Sequence, residues 1–123
     1  MKKVLIVDDE QTNIELLKHG LKVRGFDVVV ATDGVEGVVL ARDHSPTLII
    51  CDIMMPNLDG YAFVKECRAV AELRHTPIVI LSSNQDLKNK MEDEGDIAGY
   101  FIKPVNLNDI LATVESLIGA AEI

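Results

Sequence analysis

Tryptophan is absent from this sequence, and aromatic residues together make up only 4% of its 123 positions. A core must therefore be assembled from Val, Ile, Leu, Met and Ala. Cysteine is also rare. Cys51 and Cys67 are the two, and neither a C-x-x-C pair nor zinc spacing occurs. Each reads as a small buried hydrophobe in a reducing compartment. Basic residues are outnumbered by acids, 12 to 20, which gives a formal net charge of −8 and a pI near 4.7. That balance excludes a Lys/Arg stripe for nucleic acid. No apolar run approaches the ~18 residues of a membrane span. The opening MKKVLIVDDE meets three acids where a signal peptide would continue apolar. Repeats, low-complexity stretches and Pro/Gly/Ser linkers are missing as well. The expectation is one domain over residues 1–123, cytoplasmic, with no direct contact to nucleic acid or membrane.

What is present is 48% hydrophobic and 26% charged residues, enough apolar material for one sizeable core and too much for a disordered chain. Five short runs carry much of it: Val4–Val7, Val28–Ala31, Leu48–Cys51, Ile78–Leu81 and Tyr100–Ile102. Most are apolar at every position. A half-exposed antiparallel strand would alternate, so these runs fit strands covered on both faces, as in a parallel sheet.

Helix-length segments lie between them. Ile14, Leu17 and Leu21 recur at helical spacing, and Gly25 is placed to end that helix. Val35, Val38 and Val39 mark a second helix after Asp33-Gly34, and Phe63, Val64, Cys67 and Val70 a third. A weak fourth is predicted around 86–94, with Leu87 and Met91 as its stripe. The fifth has Asn106 as N-cap and Ile110, Leu111, Val114, Leu117 and Ile118 as its apolar face. Strand alternating with helix five times implies right-handed crossovers and an α/β doubly wound, five-stranded parallel sheet with five helices. Sheets of this kind place ligands at the carboxyl ends of their strands.

The residues at those ends form a pattern. Asp8, Asp9 and Glu10 follow the first run, Asp52 the third, Ser82 and Ser83 the fourth, and Lys103-Pro104 the fifth. Each has a bland reading alone: an Asp pair as a cap, a Ser as a turn, a Lys as a solvated side chain. Independent turn residues have no reason to converge, so the joint placement carries the argument. Two carboxylate charges ~4 Å apart repel by about 4 kcal/mol at an effective dielectric near 20. A cluster of three either raises a pKa or holds a cation. Oxygen donors without His or Cys favour a hard ion, Mg²⁺ before Zn²⁺. His19, His44 and His75 are scattered, without metal spacing, and read as surface or helix residues.

VLIVDDE, LIICDIMMPNLDG, PIVILSS and YFIKP, in this order and at these spacings, resemble the receiver domain of bacterial response regulators over essentially the whole chain. The resemblance implies a flavodoxin-like strand order of 2-1-3-4-5. It implies a phosphorylation-activated switch of a two-component system. Asp52 would be the phosphoacceptor, taking its phosphoryl group from a sensor histidine kinase or a histidine phosphotransfer protein. Mg²⁺ would be held by Asp9, Asp52 and the backbone carbonyl of Met54, with Asp8 acting through water. Lys103 would pair with the phosphoryl group, Ser82 would move to bond it, and Tyr100 would be the aromatic switch that then turns inward. The Lys103–Pro104 bond would be cis. The surface of the fourth helix, fifth strand and fifth helix would regulate a downstream protein effector, in a stand-alone, chemotaxis-regulator-like protein, monomeric or weakly dimeric. Its chemistry would be self-catalysed phosphoryl acceptance and autodephosphorylation, without enzymatic turnover. The sequence departs from the family in carrying Ser82 where Thr is commoner and Ser83 where Ala is, and in a Ser82–Lys103 segment about one residue short.

The rival is a Mg²⁺-dependent aspartyl-phosphate hydrolase of the haloacid-dehalogenase type. That family wants a second Asp two residues after the nucleophile, where Met54 stands. A flavin or dinucleotide module is disfavoured because no G-x-G-x-x-G follows the first run.

Overall fold

The central apolar runs form strands buried on both faces, Leu48–Asp52 and Ile78–Ser82 at every position, while the edge strands are partly exposed. In the computed structural model, which describes residues 2–55, 58–83 and 97–121, the elements follow in chain order. They are β1 (Lys3–Val7), α1 (Gln11–Val23), β2 (Asp27–Ala31), α2 (Gly34–His44), β3 (Leu48–Asp52), the short strands β4 (Met54–Met55) and β5 (Leu58–Asp59), α3 (Gly60–Ala69), a 3-10 turn (Ala71–Leu73), β6 (Ile78–Ser82), β7 (Gly99–Ile102) and α4 (Leu107–Ile118). The main sheet has the order β2-β1-β3-β6-β7 with every pairing parallel, which is the expected 2-1-3-4-5 arrangement of the five runs. β4 and β5 pair antiparallel outside it. Four α-helices and the 3-10 turn stand among the described residues; the helix expected around 86–94 lies outside them.

Successive strand residues face opposite sides, so each run feeds two cores. Leu5, Val7, Ile49, Cys51, Ile78 and Ile80 join Phe63, Val64 and Cys67 of α3 and Val38 and Ala41 of α2 in one cluster. Val4, Ile6, Leu48, Ile50, Val79 and Leu81 join Leu17 and Leu21 of α1 and Ile110, Leu111 and Val114 of α4 in the other. Burying each such side chain contributes about 1.5–3 kcal/mol before entropy is counted.

Local signals set the helix ends. Gly25 takes a positive φ of 91° after α1, a conformation that a Cβ would strain. Asp33 caps α2 by accepting from the Glu36 N–H at 2.7 Å, and Asn106 caps α4 by accepting from the Asp109 N–H at 3.2 Å. The helix that Val35, Val38 and Val39 mark is present as α2, and its buried face is set by smaller residues. Val38 is buried, but Val35 and Val39 are 65% and 46% exposed, and the face toward the sheet is Gly34, Gly37, Val38 and Ala41. Leu117 of α4 likewise faces solvent at its edge. Small residues let α2 approach the sheet closely, so the helix buries its backbone there rather than a row of valines.

Candidate functional site

The crevice lies where the sheet's connections change direction. β1 leads to β2 on one side, and β3 lies on the other side of β1. Their carboxyl ends carry Asp8 and Asp9 just past β1 and Asp52 as the last residue of β3. One oxygen from each of these three carboxylates lies within 4.8 Å of the other two. Asp8 and Asp52 are buried at 1% and 2% exposure, while Asp9 is exposed. Parallel pairing of Val7 with Cys51 fixes this juxtaposition, because the residues that follow each partner emerge side by side.

Lys103 follows β7 at the far side of β6. Its Nζ donates to Asp52 Oδ2 at 2.7 Å and stands 3.7 Å from Glu10 Oε2. The backbone N–H of Lys103 donates to Ser82 O at 2.8 Å, which extends the β6–β7 ladder and fixes where the side chain starts. Burial pulls the ammonium's pKa down. The hydrogen bond to Asp52 and the charges of Asp52, Asp8 and Glu10 outweigh that effect and leave it raised, so Lys103 is firmly cationic. The Lys103–Pro104 peptide is cis.

Asp8 is held by one oxygen only. Its Oδ1 accepts the Glu10 N–H at 2.9 Å, while Oδ2 is buried with no partner. Burial pushes its pKa up to about 6, with the neighbouring Asp52 charge adding to the rise and the Glu10 N–H and Lys103 opposing it. A buried carboxylate oxygen without a donor normally calls for an explanation. A hard cation supplies one here. Three carboxylates converge, no His or Cys stands among them, and one buried oxygen lacks a donor. The donor set fits Mg²⁺.

Ser82 is fully buried as the last residue of β6, one place beyond Leu81, the register partner of Asp52. Tyr100 sits opposite Ile80 on β7 and is 7% exposed, with its ring in the core cluster on the α2–α3 face. Met54 lies in β4, two residues past Asp52. The structure thus brings Asp8, Asp9, Asp52 and Lys103 into one site, with Ser82 at the adjoining strand end. Glu10 is the residue to which the sequence reading gave no role. Its signal was present, as a third consecutive acid after β1, but its proximity to Lys103 depends on how two loops fold over the sheet.

Cys51 and Cys67 are both buried free thiols, and His19, His44 and His75 are all exposed. Among the described residues, no helix is long and apolar enough to cross a membrane.

Residues 4–115 match the response regulator receiver domain. The alkaline phosphatase synthesis transcriptional regulatory protein PhoP of Bacillus subtilis is 31% identical over 122 residues, which are 99% of this chain and 50% of PhoP. The chain therefore spans about half the length of that relative. The polar-differentiation response regulator DivK of Brucella ovis is 30% identical over 98% of both chains. Among solved structures, the chemotaxis response regulator CheY4 of Vibrio cholerae superposes with a TM-score of 0.86 at 32% identity, covering 95% of this chain and 98% of that one.

Proposed function

This chain belongs to the response regulator receiver domain family of two-component signalling, and from that premise we propose that Asp52 is its phosphoacceptor and that phosphorylation switches a protein-binding surface. The contact that carries this reading is the 2.7 Å bond from Lys103 to Asp52 beside two further carboxylates. The donor is a phosphohistidine of a sensor kinase or a phosphotransfer protein. An Asp52 oxygen attacks phosphorus, the P–N bond breaks, and its electron pair stays on the imidazole nitrogen, which takes up a proton.

Phosphoryl transfer asks for positioning and charge neutralisation more than covalent chemistry. Lys103 answers part of that need, since its ammonium already touches the nucleophile and can shift to a phosphoryl oxygen. Asp9, Asp52, the Met54 carbonyl and, through water, Asp8 would hold Mg²⁺, which supplies neutralising charge to the transferring group. Ser82 offers a hydroxyl from the adjoining strand end. The new phosphoryl charge, about −1.5 to −2, biases the surface around β7 and α4 through Lys103 and Ser82. A protein effector that reads this surface completes the pathway. The chemistry on the chain itself is acceptance and later loss of one phosphoryl group, and the setting is the cytoplasm.

The test uses acetyl phosphate with Mg²⁺. One phosphoryl group should appear on the protein, be released by hydroxylamine, and fail to appear on Asp52→Asn. Equal labelling of Asp52→Asn would overturn the assignment of the acceptor. Steady turnover of phosphate monoesters would instead favour a hydrolase.

A further inference from the structure

We propose that Glu10 sets which phosphodonors this site accepts, favouring those whose leaving group departs uncharged over those whose leaving group departs as an anion. The proposal rests on Asp52 as acceptor and adds a residue that chooses among donors.

Lys103 stands between two carboxylates that differ in depth. Asp52, at 3% side-chain exposure, lies 2.7 Å on the inner side; Glu10, at 56%, lies 3.7 Å away at the rim. Glu10 is anchored at its backbone, and its carboxylate lies near Asn13 as well as Lys103. The Glu10 backbone N–H donates to Asp8 Oδ1 at 2.9 Å, and Asn13 Nδ2 stands 3.5 Å from Glu10 Oε2. Glu10 also lines an open cleft of about 340 Å³, together with Asn13, Leu16, Lys103, Pro104 and Val105. Lys103 connects that cleft to the acceptor. In-line attack by the buried Asp52 sends the leaving group outward, to the side opposite the nucleophile. Glu10 and Asp9 are the exposed acids beside the buried acceptor, and Lys103 reaches both Glu10 and Asp52.

Acyl phosphates and phosphoimidazoles differ at this point. When acetyl phosphate reacts, the acyl C–O–P linkage breaks at phosphorus, and acetate leaves with the electron pair as an anion. When N-phosphoimidazole reacts, the P–N bond breaks, and the imidazole nitrogen takes a proton and leaves neutral. A carboxylate at the rim opposes the first departure and tolerates the second. It can also accept a hydrogen bond from an imidazole N–H. The cleft's wall of Leu16, Pro104 and Val105 suits a flat ring better than a small hydrated anion.

The experiment measures labelling rates of the full chain at saturating Mg²⁺ with acetyl phosphate and with N-phosphoimidazole, for the native protein, Glu10→Gln and Glu10→Asp. The acetyl phosphate to phosphoimidazole rate ratio should rise about fivefold in Glu10→Gln and return toward the native value in Glu10→Asp, which keeps the charge. Raising ionic strength should shrink the Glu10→Gln effect, because an exposed charge is screened. A ratio that stays constant in Glu10→Gln, with both rates unchanged or moving together, would overturn the proposal while leaving Asp52 as acceptor intact. Failure of the acceptor assignment reads out separately, as labelling that survives in Asp52→Asn.

Discussion

Lys103 and Asp52 meet at 2.7 Å although a whole strand, β6, lies between β7 and β3. Two strand spacings are roughly 10 Å. The four-carbon lysine stem crosses that gap over the end of β6 and delivers its charge to a carboxylate that is 2% exposed. A shorter cation starting from the same backbone position would not reach. Lys103→Ala removes this charge-assisted bond, and metal-free stability should fall by about 2 kcal/mol, within the range for hydrogen bonds to charged groups. A urea midpoint shift with an unchanged slope checks it. Mg²⁺ should still bind Lys103→Ala, because the three carboxylates remain, and the response of an effector to phosphorylation should be lost. Loss of Mg²⁺ binding in this variant would contradict the division of labour.

Asp9 separates metal binding from folding. It is exposed, unlike Asp8 and Asp52, but its charge lies among theirs, so Asp9→Asn should leave metal-free stability unchanged or raise it by about 1 kcal/mol. The native protein at 100 times the Mg²⁺ dissociation constant should gain about 2.7 kcal/mol by mass action, and a chelator should reverse the gain. Asp9→Asn should lose most of it. Thermal melts with and without Mg²⁺ measure both numbers, and a variant that melts with the same Mg²⁺-induced rise as the native protein would remove Asp9 from the ligand set.

Asp8 gives the metal-free protein a pH signature. Its carboxyl is raised from 3.8 to about 6 by burial first and by the Asp52 charge, against the Glu10 N–H and Lys103. A raised carboxyl favours the folded state while it is protonated. That contribution is therefore complete below pH ~4 and is lost as pH rises through about 6, on the order of 3 kcal/mol in all. Asp8→Asn has no such group. The stability of native protein relative to Asp8→Asn should decline between pH 4 and 7 and then level off, with the variant the more stable at pH 7 when Mg²⁺ is absent. Added Mg²⁺ should oppose the decline in the native protein alone. A flat difference across that pH range would mean that Asp8 is not destabilised by its burial.

Much of this was legible in the residues, for physical reasons. The central strands are unmistakable because burial on both faces leaves no polar position, as in Leu48–Cys51. The site is legible because Asp8, Asp52, Ser82 and Lys103 interrupt or follow such runs, where a buried polar group needs a reason to exist. The α2 face was not, since a valine stripe at helical spacing looks the same whether the core takes valines or the small residues between them. Glycine carries no side chain to signal burial, and Val35 and Val39 stand 65% and 46% exposed on the other side. The Glu10–Lys103 approach was hidden for a different reason, because it joins loops that follow two strands lying three places apart in the sheet.

Gly37 offers the sharpest check on that buried face. A Cβ built there would lie 3.0 Å from Phe63 Cε1 and 3.1 Å from both methyls of Val7. Phe63 and Val7 are both fully buried in the same cluster, so neither can swing out of the way. In an exposed helix interior, replacing Gly by Ala stabilises by up to about 1 kcal/mol through propensity. Overpacking a dense core costs about 1–3 kcal/mol and should win here. Gly37→Ala is thus expected to destabilise, whereas Val39→Ala on the opposite side of α2 should be nearly neutral, since it exchanges a half-exposed valine for a better helix former. Chemical denaturation of the two variants side by side measures the contrast. If Gly37→Ala proved the more stable of the pair, α2 would not pack on the sheet through its glycine face.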